Sequence, residues 1–224
     1  MFNTLLYQPI LGILVFIYKN IAFHDLGLAI ILLTILVRLV LLPFFYRGAK
    51  DQTLIQKIQP LVKKIQEDHK HDKQKQTQAL LELYRQHRIN PFSSFLLLII
   101  QLPILIALYR VFLTGLSNSA VFDNYQFLGL INLNQKSFLL VILAALAQYF
   151  QGRLMMPQNN NQMNQMMLYL GPVLTLIILI NLPAALGLYW LISSLFSLGQ
   201  QVLINKSLAK HKYGENIGEN KKIV

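Results

Sequence analysis

The chain has 224 residues, of which 54% are hydrophobic and only 13% charged. A charged share near half the soluble norm of ~25% excludes an ordinary soluble domain and points to an integral membrane protein. The absence of cysteine excludes disulfides, thiol catalysis and cysteine-based metal sites, and the net charge of +11 matters less than where its cations fall.

Residues 5–18, LLYQPILGILVFIY, form an apolar run of fourteen with Gln8 and Pro9 inside it. That length suits a helix lying in the interface better than one crossing the bilayer, although a short span is the rival reading. Tyr7, Tyr18 and Lys19 are candidate interface anchors. Lys19 is the one Lys or Arg among the first twenty-four residues, so no cleavable signal or organelle transit peptide is expected.

Residues 26–46, LGLAIILLTILVRLVLLPFFY, are long enough to span, and carry one charge, Arg38. As a straight helix this segment puts Arg38 roughly 12 Å from its Tyr46 end, too far for comfortable snorkelling. A central Arg costs roughly 3 kcal/mol on insertion scales, which fifteen Leu, Ile, Val and Phe residues outweigh. None of the nine acidic residues falls inside an apolar run. Asp25 is thirteen residues away, about 20 Å along a helix. An unpaired intramembrane cation needs water or polar side chains, so Arg38 predicts a hydrated cavity open to a visiting anionic group. Thr34 lies one turn before it on the same face, and Pro43 frees the carbonyl of Leu39 and loosens the helix.

Residues 47–90 hold ten Lys/Arg and five Asp/Glu. Leu54, Ile55, Ile58, Leu61, Val62 and Ile65 recur at helical spacing, with Pro60 expected to kink the helix. A polar turn at 67–73 leads to a second stripe, Gln76, Leu80, Leu83 and Tyr84. Facing stripes predict an antiparallel helical hairpin outside the membrane. His69 and His71 beside Asp68 and Asp72 read as a solvated tip rather than a metal site. Pro91 is placed to open the next helix.

A second span covers 92–113, with Gln101 and Pro103 inside and Arg110 at its far end. In the external loop that follows, Phe122, Tyr125 and Phe127 are expected to rest on the membrane surface. A third span at 137–156 contains Gln148, which reads equally as a groove residue or a helix–helix contact. Residues 155–167 hold five of the six methionines around an Asn/Gln core, composition suited to a surface that meets varied apolar sequences or to ordinary packing. A fourth span, a turn at 181–183, and a fifth span with Trp190, Ser193, Ser194, Gln200 and Gln201 complete the core. Trp190 serves equally as substrate contact, packing residue or interface anchor. The tail beyond residue 211 is expected to be disordered.

The hairpin, Arg153 and the tail hold sixteen of the twenty basic residues. With five spans all three fall on one side, which the charge bias makes the cytoplasm.

Four segments make the chain similar to the YidC/Oxa1/Alb3 family of membrane protein insertases in its compact bacterial form. They are TILVRLVLLP (34–43), the charged hairpin, INPFSSFLLLIIQLPILIALYRVF (89–112) and NLPAALGLYWLISSLFSLGQQ (181–201). The resemblance implies an all-α integral membrane protein with five transmembrane helices around a hydrophilic groove, an N-terminal interfacial helix and a cytoplasmic helical hairpin. Its boundaries are an extracytoplasmic helix in 1–24, transmembrane helices at 25–46, 91–114, 136–156, 166–181 and 183–206, the hairpin at 47–90, an external loop at 115–135, a cytoplasmic loop at 157–165 and a basic cytoplasmic tail at 207–224.

Arg38 matches the family's groove arginine. Thr34, Gln101, Gln148, Trp190 and Ser194 are further groove candidates. The expected partners are nascent membrane proteins and the lipid bilayer, with ribosome and Sec translocon as further candidates. The expected location is the bacterial plasma (inner) membrane with the N-terminus outside, and neither cofactor, metal nor enzymatic step is called for. The chain departs from the family in Pro183-Ala184-Ala185, where Pro-Ala-Gly is common, and in Ser193-Ser194, where Ser-Asn is common. The large extracytoplasmic domain of many Gram-negative members is not expected here, and the short basic tail argues against strong ribosome tethering. A solute or proton-coupled transporter is the rival class, weakened by spans without Asp, Glu or His. An intramembrane enzyme ranks lowest, for want of an acid pair or HExxH.

Overall fold

A computed structural model describes residues 3–115, 122–155 and 162–210. The expectation for the tail beyond 211 and most of that for the methionine-rich stretch lie outside the described residues. In that stretch Met166 is described, and it is exposed.

A π-helical turn, Asn3–Tyr7, leads into α1 (Gln8–Asn20), with Pro9 in the first turn where its missing N–H does no harm. α1 packs against α2 (Leu26–Val40) through Leu14, Ile17 and Tyr18. Tyr18 corrects the anchor expectation. Its side chain is fully buried, its ring meets Phe122 edge-on at 5.1 Å, and its hydroxyl accepts the Asn124 N–H at 3.0 Å.

α2 starts at Asp25, whose carboxylate accepts the Leu28 N–H at 2.9 Å as an N-cap. It does not run straight to Tyr46. The helix breaks at Leu41 and resumes as α3 (Leu42–Lys57), bent by 70°. Pro43 supplies the cause, because it cannot donate to Leu39 but fits the first turn of the new helix. The same logic acts at Pro60. α3 ends at Lys57, Ile58 forms the break, and α4 (Gln59–Asp68) begins with Pro60 in its opening turn. α5 (Lys73–Gln86) returns alongside α4, with Gln76 Nε2 donating to the Gln66 carbonyl at 2.9 Å.

α6 (Ser93–Arg110) opens two residues after Pro91 and closes in a π-helical segment, Val111–Gly115. The external loop folds into a two-stranded hairpin, β1 (Gln126–Phe127) and β2 (Ile131–Asn132), paired antiparallel. Its aromatics turn inward, correcting their assignment to the membrane surface. Phe122 is buried, while Tyr125 and Phe127 pack against the helix core. Exposed apolar residues at this end include Ile21, Phe23, Leu128 and Leu130 instead.

α7 (Phe138–Met155), α8 (Gln162–Leu179) and α9 (Ala184–Lys210) complete the chain. The first-turn N–H groups of α9 are not left orphaned. Ala184 donates to the Gln135 carbonyl at 2.7 Å and Ala185 to that of Leu133 at 3.0 Å. α7 packs on both α8 and α9. Lipid tails are as apolar as Leu, so helix association inside a membrane rests on close packing rather than on exclusion of water. The contacts show it: Ala144, Ala184 and Ala185 are buried, and a Cβ on Gly187 would stand 3.3 Å from that of Leu140.

α9 is long and apolar enough to cross a bilayer over Ala184–Leu208, and α2 with α3 forms a bent candidate. Ile99–Leu113, Phe138–Leu154 and Leu168–Leu179 are shorter apolar stretches. They fall within the five segments expected as spans, of which, among the described residues, α9 and the bent α2–α3 pair have the length to cross.

Candidate functional site

The α2 break places Arg38 in the last turn of its helix rather than in mid-span. A cation there meets the negative end of the helix dipole. The bend also returns Phe45, on α3, toward α2. The guanidinium lies 4.6 Å from the Phe45 ring centroid, a cation–π contact. On its other side Arg38 Nε donates to Ser193 Oγ of α9 at 2.9 Å, and Nη2 donates to the same oxygen.

Ser193 is one link in a polar chain. Tyr189 lies one turn earlier on α9 and is buried, with its hydroxyl facing Ser193 and the Arg38 charge. Gln101 of α6 donates from Nε2 to that hydroxyl at 2.6 Å. Arg38, Ser193, Tyr189 and Gln101 thus join α2, α9 and α6 within an apolar bundle. Among the described residues the ion pair is Lys75–Asp72 at the hairpin tip, and Arg38 has no carboxylate. The cation therefore keeps donor capacity that one serine oxygen does not use up.

The other sequence candidates occupy different surroundings. Thr34 is buried and donates to the Ile30 carbonyl of its own helix at 2.6 Å. Gln148 accepts from Thr175 across the α7–α8 contact. Ser194 is buried about 100° around α9 from Ser193. Trp190 lines an apolar cavity of about 170 Å³ between α6, α8 and α9, with Leu105, Ile106, Tyr109, Ile178 and Leu186. Ser193, Tyr189 and Phe45 were not among the sequence candidates. The spacing of four between Tyr189 and Ser193 marks a shared face, but the contact with Phe45 depends on the 70° bend.

A second polar cluster closes the far end of α9. Gln201 donates to Thr53 Oγ1 at 2.9 Å, Asn205 to the Leu154 carbonyl at 2.8 Å, and Ser93 to Asp51. Leu54, Ile58, Leu83 and Ile89 pack there with Ile204 and Leu208. The apolar stripes of the hairpin therefore do not pair only with each other; their base is built into α9.

Residues 16–212 match the family described as the 60Kd inner membrane protein. This chain belongs to that family. It is similar to the membrane protein insertase YidC of Clostridium tetani, 36% identical over 192 residues, covering 84% of this chain and 85% of the relative. It is 34% identical over 205 residues to the membrane protein insertase MisCA of Bacillus subtilis, covering 88% and 77%. Against YidC of Wolinella succinogenes it is 32% identical over 211 residues, 94% of this chain but 39% of that one. The chain thus spans most of the first two relatives and about two fifths of the third. Among solved structures it resembles the active YidC insertase crystal structure with the first transmembrane domain resolved, at a TM-score of 0.67 and 26% identity over 88% of this chain and 45% of the other.

Proposed function

We propose that this 60Kd inner membrane protein family member is a membrane protein insertase that receives nascent membrane proteins on the Arg38 face and releases their apolar segments into the bilayer. Family membership carries the insertase reading, and the carboxylate-free Arg38 network carries its location. α2 is about 22 Å long, against a hydrocarbon core of about 30 Å. If Asp25 marks the outer interface, Arg38 lies roughly 20 Å below it, still within the apolar thickness. Water drawn to the guanidinium then hydrates a groove lined by Arg38, Ser193, Tyr189 and Gln101. The polar flank of a substrate crosses through that water, and its apolar segment leaves sideways into lipid. No bond is made or broken. The hairpin and tail face the cytoplasm, where a ribosome would meet them, the β1–β2 loop faces outward, and the Sec translocon is a further partner.

Photocrosslinkers placed at Gln101 and at Phe16, in full-length protein bound to stalled nascent chains, test this route. Phe16 is exposed on α1, away from the network. Adducts concentrated at Gln101 are expected. Equal adducts at both positions overturn the route, and none at either overturns the insertase reading.

A further inference from the structure

A slot runs between α7 and α8, separate from the Arg38 network. Ile142, Leu146 and Tyr149 form one wall and Tyr169, Val173 and Leu176 the other, around a cavity of about 300 Å³. Close approach of the two helices makes its floor. A Cβ on Gly171 would stand 3.3 Å from Gln148 Nε2, one on Gly152 would stand 3.1 Å from Leu168, and Gln148 and Thr175 are hydrogen-bonded. The slot is therefore preformed rather than opened by a ligand.

Its chemistry changes along its length. Ile142 and Leu176 are apolar, whereas at the other end Tyr149 and Tyr169 stack at 5.9 Å with an interplanar angle of 28°. Arg153 follows Tyr149 by one turn, on the face that carries Ile142, Leu146 and Tyr149. It is exposed and has no carboxylate among the described residues. From Ile142 to Arg153 the helix rises about 16 Å, close to half of the ~30 Å hydrocarbon core. A spanning helix of about 10–12 Å diameter would sit on the rim of a cavity this small rather than inside it. One acyl chain has the right calibre and the right length, and its phosphate would end beside the cation.

We propose that this slot binds one phospholipid, its acyl chain along the α7 and α8 walls and its phosphate at Arg153, with anionic headgroups preferred. The bound lipid would fill the seam between two packed helices.

Native mass spectrometry of the full-length protein, titrated in detergent with phosphatidylglycerol, phosphatidylcholine or uncharged diacylglycerol, tests it. The expected affinity falls in that order, with one phosphatidylglycerol retained per chain. Arg153→Gln should weaken phosphatidylglycerol roughly fivefold, the worth of one basic residue at a lipid surface, and leave diacylglycerol unchanged. Leu146 is exposed, so Leu146→Trp should fold, fill the slot and abolish retention of all three. Unchanged retention in Leu146→Trp overturns the site, and unchanged phosphatidylglycerol binding in Arg153→Gln overturns the headgroup assignment. A photocrosslinker at Leu146 that captures polypeptide instead of lipid in membranes overturns the choice of occupant.

Discussion

Arg38 illustrates how far a single residue can be read and where the reading stops. Its charge, its apolar surroundings and the lack of an acidic partner are all visible in the sequence, and each reappears in the structure. The partners were not legible, because they depend on how α9 is rotated against α2. Ser193 and Ser194 differ by one position in sequence but by about 100° on the helix, and only Ser193 meets the guanidinium. Replacement of Ser193 by Ala should therefore lower stability by about 1 kcal/mol, in the range of hydrogen bonds between membrane helices. Ser194→Ala should change it less. Thermal unfolding in detergent reads both, and equal shifts would contradict the assignment of Ser193 as the Arg38 partner.

Individual elements are held by local chemistry that can be tested apart from function. Gly27 opens α2 beneath the β1–β2 hairpin, and a Cβ there would fall 2.1 Å from Phe127 Cδ2. Gly27→Ala should destabilise by about 1–3 kcal/mol, the usual range for overpacking. In a Phe127→Ala background the same Gly27→Ala change should cost less, and an equal cost in both backgrounds would place the strain in the backbone. At the hairpin tip, Asp72 caps α5 by accepting the Lys75 N–H at 3.0 Å. That backbone hydrogen bond is the main reason its carboxyl sits below the usual range. A depressed carboxyl stabilises the folded hairpin above its ordinary pKa of about 3.9, and the contribution disappears as pH falls through the folded value. Protection of the Lys73–Lys75 amides against exchange, taken relative to the intrinsic rate at each pH, should fall below about pH 4, and that acid dependence should vanish in Asp72→Asn, which still caps. The hairpin was legible from its two stripes and polar turn. Its docking on Ile204 and Leu208 was not, since periodicity shows that a face is apolar without showing what covers it. The inward turn of Phe122 was missed for a related reason. An aromatic in an external loop is compatible with a membrane surface or a buried core, and the contact with Tyr18 decides between them.

For the whole molecule, segment order followed from hydropathy, and segment shape did not. The apolar run around Arg38 is continuous in sequence, yet Pro43 divides it into two helices at 70°. The proposed orientation can be read directly, because the chain has no cysteine to remove. A cysteine replacing Lys70 should label only from the cytoplasm and one replacing Asn124 only from outside; a reversal at either would break the proposed five-span arrangement. The central claim is that the Arg38 charge, held at the broken end of α2, receives substrates during insertion. Its most direct test is an insertion assay with matched substrates whose translocated flank is either acidic or neutral. The unmodified protein, Arg38→Lys and Arg38→Leu are compared at equal membrane abundance. Arg38→Lys should keep much of the activity, and Arg38→Leu should fail chiefly on the acidic flank, where a charge-assisted contact is lost. Full activity of Arg38→Leu on both substrates would contradict the claim.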